Sequence, residues 1–257
     1  MKKVFSPKYL PVFVTCAGLL GFVLRLWTLS GGPDEQGLYA PQPLAWGLLW
    51  AVSALVLGTE LLAGTQLSEP GDYSDNFPRS LYAAVGCVTA ALGIAVTAVP
   101  MLLSGQHWMD TVTGLVGLLA AVAMCFVSYA RIQGRIPNFL FHFSVCLFFA
   151  LRIFDQSKNW SNEPQLGVFV LPFLACVCVM LAAYQLSCFD VNLPKRKACV
   201  FWSLSAVYFS ILAMPESKEL LLHGCMAIWL LTNLCSLKPM KKREDTQEQD
   251  ASLDEAE

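Results

Sequence analysis

Two arginines stand inside otherwise apolar runs: Arg25 in FVLRLW (22–27) and Arg152 in FALRIF (149–154). A guanidinium is a planar fork of N–H donors that matches a carboxylate or phosphate, so this residue type buried in apolar surroundings points to anion recognition. Asp155 follows Arg152 by three positions, which on a helix places the two on one face. Arg25, Arg152 and Asp155 are therefore the candidate site for an anionic small molecule. The alternative is that each arginine extends to lipid headgroups, or pairs with a carboxylate such as Asp34, Glu35, Asp110, Asp155, Glu216 or Glu219. Glu60 and His142 lie in apolar runs of their own and are the candidate proton or cation groups, with His223 a similar case. A convergence of Glu60, His142 and Tyr184 would favour an intramembrane enzyme acting on lipid.

Other chemistry is not encoded. HExxH, GxSxG, GxxxxGK[ST] and GxGxxG are all absent. Ten cysteines are present, but none forms a CxxC and none has a histidine at metal-ligand spacing. They read as small packing residues. No catalytic set, metal or cofactor is expected, and no basic arm or basic-aromatic face points to nucleic acid.

What must hold these residues in place is set by composition. Of 257 residues, 56% are apolar and 14% charged, and the mean hydropathy is +0.54. A soluble domain carries about 25% charged residues. The chain is too poor in charge to cover a water-facing surface, which excludes a soluble enzyme and a disordered protein. A membrane-crossing helix needs about 20 largely apolar residues. Eight segments qualify, near 9–30, 43–64, 81–103, 111–130, 138–155, 166–187, 198–215 and 220–237. The expected fold is all-α: a polytopic helical bundle over 1–237 with eight transmembrane helices. The charged segment 238–257 is expected to be a disordered cytoplasmic tail. The fifth segment is the shortest, with an uncharged core of only Phe139 to Leu151, a length that also suits a re-entrant piece.

Charge supplies the orientation. Short cytoplasmic loops collect Lys and Arg. Eight crossings place Lys2, Lys3, Lys8, Arg79, Arg131, Arg135, the cluster 195–197 and the cluster 238–243 on one side. The other side receives only Arg152, Lys158 and Lys218. Both termini are then cytoplasmic. Dropping the fifth crossing would move the KRK cluster and the KPMKKR stretch outside, so the bias calls for all eight. The apolar N-terminal run continues past Arg25 to Leu29 without an A-x-A site, which reads as a retained span rather than a cleaved signal. Trp27, Trp46, Trp108 and Trp160 fall near the outer interface, and Trp229 falls mid-span, where it should pack between helices.

Small residues recur every fourth position in the third segment (Ala83, Cys87, Ala91, Ala95) and in the fourth (Gly117, Ala121, Cys125). Such ladders let backbones approach in lipid, so these two should form a tight hairpin. Pro100 and Pro172 lie inside segments and are candidate kinks. The FVLRLW and FALRIF stretches end the first and fifth segments, and AVP and AMP end the third and seventh. This hints at a 4+4 parallel pseudo-repeat.

The stretches LRLWTLSGGPDEQGLYAPQPL, NFPRS, RIFDQSKNWSNEPQL and FDVNLPKRKA resemble a group of uncharacterised multi-pass membrane proteins of anaerobic Gram-positive bacteria. The resemblance covers most of residues 10–215. It implies a bacterial plasma-membrane protein and no activity. Two functional readings remain open. One is a small transporter or substrate-binding membrane subunit for an anionic small molecule. The other is a non-catalytic scaffold or sensor acting on a membrane or cytoplasmic protein partner through its acidic tail.

Overall fold

The computed structural model describes residues 9–30, 42–65, 73–104, 107–159, 166–193, 195–215 and 220–238. Their regular structure is entirely helical: α1 (Leu10–Leu29), α2 (Pro43–Thr65), α3 (Tyr73–Asn76), α4 (Leu81–Ser104), α5 (Trp108–Gln133), α6 (Phe139–Asn159), α7 (Leu166–Asp190), α8 (Arg196–Ala213) and α9 (Leu220–Ser236). Local chemistry marks several ends. Pro11 and Pro43 sit in first turns, where the missing N–H costs nothing. Gly134, at φ 69°, ends α5 in the left-handed conformation, and its N–H and that of Arg135 both reach the Ala130 carbonyl.

Six helices, α1, α2, α4, α5, α6 and α7, contain stretches long and apolar enough to cross a membrane. The weakest segment of the sequence is among them: α6 runs 21 residues, past Arg152. Their outward faces are apolar too. Val85, Val88, Leu92 and Val96 on α4, and Leu115, Leu119, Val122 and Phe126 on α5, are all exposed. This inverts the surface of a water-soluble domain and suits a lipid solvent. Hydroxyls on these helices close onto their own backbone, Thr15 on the Pro11 carbonyl and Thr97 on that of Gly93.

The architecture is a closed ring of six helices with two more outside it. Helices α4, α5, α6, α7, α8 and α9 each pack on the next, and α9 returns to α4; α1 and α2 pack on each other and on α8. Helix α8 is therefore covered on almost every side, and all of residues 203–213 are buried. Protein rather than lipid surrounds it, which is why it tolerates Ser203, Ser205, Tyr208 and Ser210. With 18 and 17 residues, α8 and α9 span about 27 and 25 Å at 1.5 Å per residue.

The expected α4–α5 hairpin forms and is the most extensive helix pair. Ser128 Oγ donates to the Ala84 carbonyl at 2.9 Å, and a Cβ on Gly114 would stand 3.0 Å from the backbone of Ala98 and Leu102. The ladders are only part of the seam. Cys125 faces outward, and Gly86 and Gly93 instead bring α4 against Thr232 and Cys225 of α9. Both prolines lie within continuous helices, Pro100 in α4 and Pro172 in α7. The packing matches the pseudo-repeat only in part: α1–α2 and α4–α5 correspond to α6–α7 and α8–α9, but α7 also packs on α8 whereas α2 and α4 form no comparable pair.

Candidate functional site

One end of the ring carries the described Lys and Arg of the loops, and hydrogen bonds knit it together. Arg79 Nε donates to the Ile132 carbonyl, joining α4 to α5. Arg196 at the start of α8 donates to Asn76 Oδ1 (3.2 Å) and to the Lys238 carbonyl (2.7 Å). Lys238 in turn donates through its backbone N–H to the Asn76 carbonyl (3.0 Å) and through Nζ to that of Ser74 (3.2 Å). The single turn α3 is thereby clasped over the ring. Tyr73, Asn76 and Phe77 are all buried beneath it. Burial pushes the Tyr73 phenol up to about 12, so it stays protonated.

Under this cover lies a buried polar cluster that the sequence did not single out. Arg131, 2% exposed, donates through Nη2 to Asn233 Oδ1 at 2.6 Å, and its guanidinium lies 4.1 Å from the Phe77 ring and 5.4 Å from the Tyr73 ring. His142 Nδ1 stands 2.6 Å from Asp190 Oδ2, and both side chains are essentially fully buried. The His142 ring stacks on Trp229 at 6.2 Å. Trp229 and Asn233 are one turn apart on α9, so the His–Asp pair and Arg131 meet neighbouring positions of a single wall. His142 is buried in α6 with a carboxylate partner that spacing alone did not show. Arg131 reads in sequence as a loop cation. Its signal was its register: Met124, Val127, Ser128 and Arg131 continue one buried stripe at helical spacing.

The opposite end of the ring holds Arg152. It is buried, with Nη1 3.5 Å from Met101 Sδ on α4 and its guanidinium 5.8 Å from the Phe148 ring. It lies within electrostatic reach of His223 on α9. His223 is 1% exposed, and neither ring nitrogen has a hydrogen-bond partner. Asp155 is half-buried and makes no ion pair with Arg152 among the described residues. Between the two ends the ring is filled: Trp229, Phe148, Phe149, Met124, Ile94 and Leu171 are fully buried.

Arg25 belongs to a different neighbourhood. It is fully buried, with Nη1 3.4 Å from Thr28 Oγ1 and its guanidinium 4.9 Å from the Trp46 ring of α2. These contacts lie on α1 and α2, whereas those of Arg152 lie on α4, α6 and α9. Glu60 lies in the α2–α8 seam, fully buried. Its Oε2 accepts from Ser205 Oγ at 2.6 Å, and Ser53 and Tyr208 exchange a hydrogen bond of 2.9 Å nearby. Glu60, His142 and Tyr184 do not converge: Glu60 of α2 accepts from Ser205 of α8, His142 pairs with Asp190 of α7, and Tyr184 is exposed. The ring separates them because α8 stands between α2 and the ring interior. Asp34, Glu35, Glu216, Glu219, Trp160 and the tail from 239 lie outside the described residues.

All ten cysteines are free, and among the described residues no group of three or more His, Cys, Asp or Glu is arranged to hold a metal. In comparisons with protein-family models, curated proteins and solved structures, the chain finds no match.

Proposed function

We propose that this is an eight-crossing membrane protein that binds a small anion, a carboxylate or phosphate, at the end of the ring that holds Arg152 and His223. Transport-like movement of that anion is the reading we favour. One observation carries it: a fully buried imidazole with both nitrogens unpartnered, beside a buried guanidinium. An unsatisfied buried polar group costs about 1–3 kcal/mol, which a fold without use for it would shed. An anion between Arg152 and His223 would accept hydrogen bonds from both. Arg25, whose described contacts lie on α1 and α2, and Asp155, which makes no ion pair with Arg152 among the described residues, take no part in this reading.

The topology follows from the same argument. Helices α8 and α9 are short, but they close the ring with four of the six longer ones, so they cross with them. The positive-inside bias then puts the end holding Arg131 and Arg196 in the cytoplasm. The resemblance to proteins of anaerobic Gram-positive bacteria supports a bacterial plasma membrane as the site.

The test is thermal unfolding of the detergent-purified full chain titrated with inorganic phosphate and with acetate. A saturable rise in Tm is expected from one of them. Arg152→Ala should weaken that binding at least tenfold while the variant stays monodisperse. No stabilisation by either anion would overturn the reading.

A further inference from the structure

The geometry points to a second binding site at the polar cluster under α3, and we propose that it takes a small amino or hydroxy acid. Arg131 would hold the carboxylate, and Asp190 would accept from the amino or hydroxyl group. This site does not rest on the anion site at the other end of the ring.

A guanidinium and a carboxyl flank one wall of α9. Arg131 bonds Asn233, and His142, the partner of Asp190, stacks on Trp229 one turn away. Yet Arg131 and Asp190 do not pair with each other: Asp190 pairs with His142. Arg131 has two guanidinium nitrogens, Nε and Nη1, without a hydrogen-bond partner, and Asp190 Oδ1 and His142 Nε2 also have none. All three side chains are buried.

Buried opposite charges normally close on each other, because separation leaves each uncompensated in a poor dielectric. Here each is held back by another contact. Asn233 and the Phe77 ring fix Arg131, and His142 fixes Asp190. What remains is a set of donors on one side and acceptors on the other. A plain anion would answer Arg131 alone and repel Asp190. A molecule with a carboxylate beside an ammonium or hydroxyl answers both. Helix α3 is the cover, and the Arg196–Asn76–Lys238 clasp is what must open to admit the ligand.

The experiment uses the full chain in detergent, with glycine, lactate and acetate as probes in thermal unfolding and equilibrium dialysis. Glycine or lactate should bind saturably and acetate at least tenfold more weakly. Asp190→Asn, which keeps the side-chain shape, should abolish the preference over acetate. Arg131→Gln should abolish binding of all three probes at this site. All of these measurements are made in the Arg152→Ala background, because the site at the far end would itself take a carboxylate. Should Arg131→Gln not fold, Asp190→Asn together with Arg152→Ala decides the matter. Failure of both glycine and lactate to bind, or binding unaffected by Asp190→Asn, would overturn the proposal.

Discussion

His142 and His223 occupy the two ends of one ring, and both are 1% exposed, yet the protein treats them in opposite ways. His142 has a carboxylate 2.6 Å from Nδ1 and an indole beneath its ring. His223 has nothing on either nitrogen. The first is built into a network linking α3, α5, α6, α7 and α9; the second is left open beside Arg152. Burial alone therefore says little about a polar residue in this bundle. What separates a fastened group from an available one is whether its donors and acceptors are already used.

That contrast can be broken by substitution. The largest loss is expected for Arg131→Ala, which strands Asn233 and empties the space between Phe77 and Tyr73. Removing one partner from a buried charged contact costs about 3–5 kcal/mol, measured as the change in reversible unfolding free energy in detergent. His142→Leu should cost about 2 kcal/mol by leaving Asp190 buried without its donor. His223→Leu should go the other way, stabilising by about 1 kcal/mol, because an apolar group of similar size replaces an unsatisfied one. The same variant should lose anion-induced stabilisation. If both leucine variants destabilise alike, the distinction between the two ends fails.

The helices were legible because lipid leaves only one solution for a spanning backbone, and long apolar runs announce it. The charge bias called for the short fifth segment, and α6 is long and apolar enough to cross. The small-residue ladders correctly joined α4 to α5. What stayed hidden were contacts between segments distant in sequence. Nothing in one strand of text links His142 to Asp190, or Arg131 to Asn233, because periodicity reports a face and not its neighbour. Arg131 was masked by its own type: a cation just past a span looks like a loop residue until the stripe of Met124, Val127 and Ser128 is seen to run into it. The ring closure by α9 was equally invisible, since Gly86 and Gly93 are common in any membrane helix. Glu60 was legible as an intramembrane carboxyl, but its partner Ser205 sits on α8, whose serines lower its hydropathy and disguise its central position.

The smallest effect is expected outside the ring, and it sharpens the comparison from a third side. Glu60 shares features of both histidines: Oε2 accepts from Ser205, as His142 is fastened, while Oε1 has no partner, as with His223. Glu60→Gln preserves shape and an acceptor for Ser205, so a purely fastened side chain predicts a change within about 0.5 kcal/mol. Glu60→Ala should cost about 1–2 kcal/mol by orphaning the Ser205 hydroxyl. A cation held by the free oxygen predicts something else: Glu60→Gln would then match the alanine variant, and only the native chain would be stabilised by added sodium. Unfolding of the three proteins with and without sodium chloride, against choline chloride at equal ionic strength, decides between the two. Equality of native and glutamine variants in both salts assigns Glu60 to packing of α2 on α8, and confines ligand chemistry to the ring.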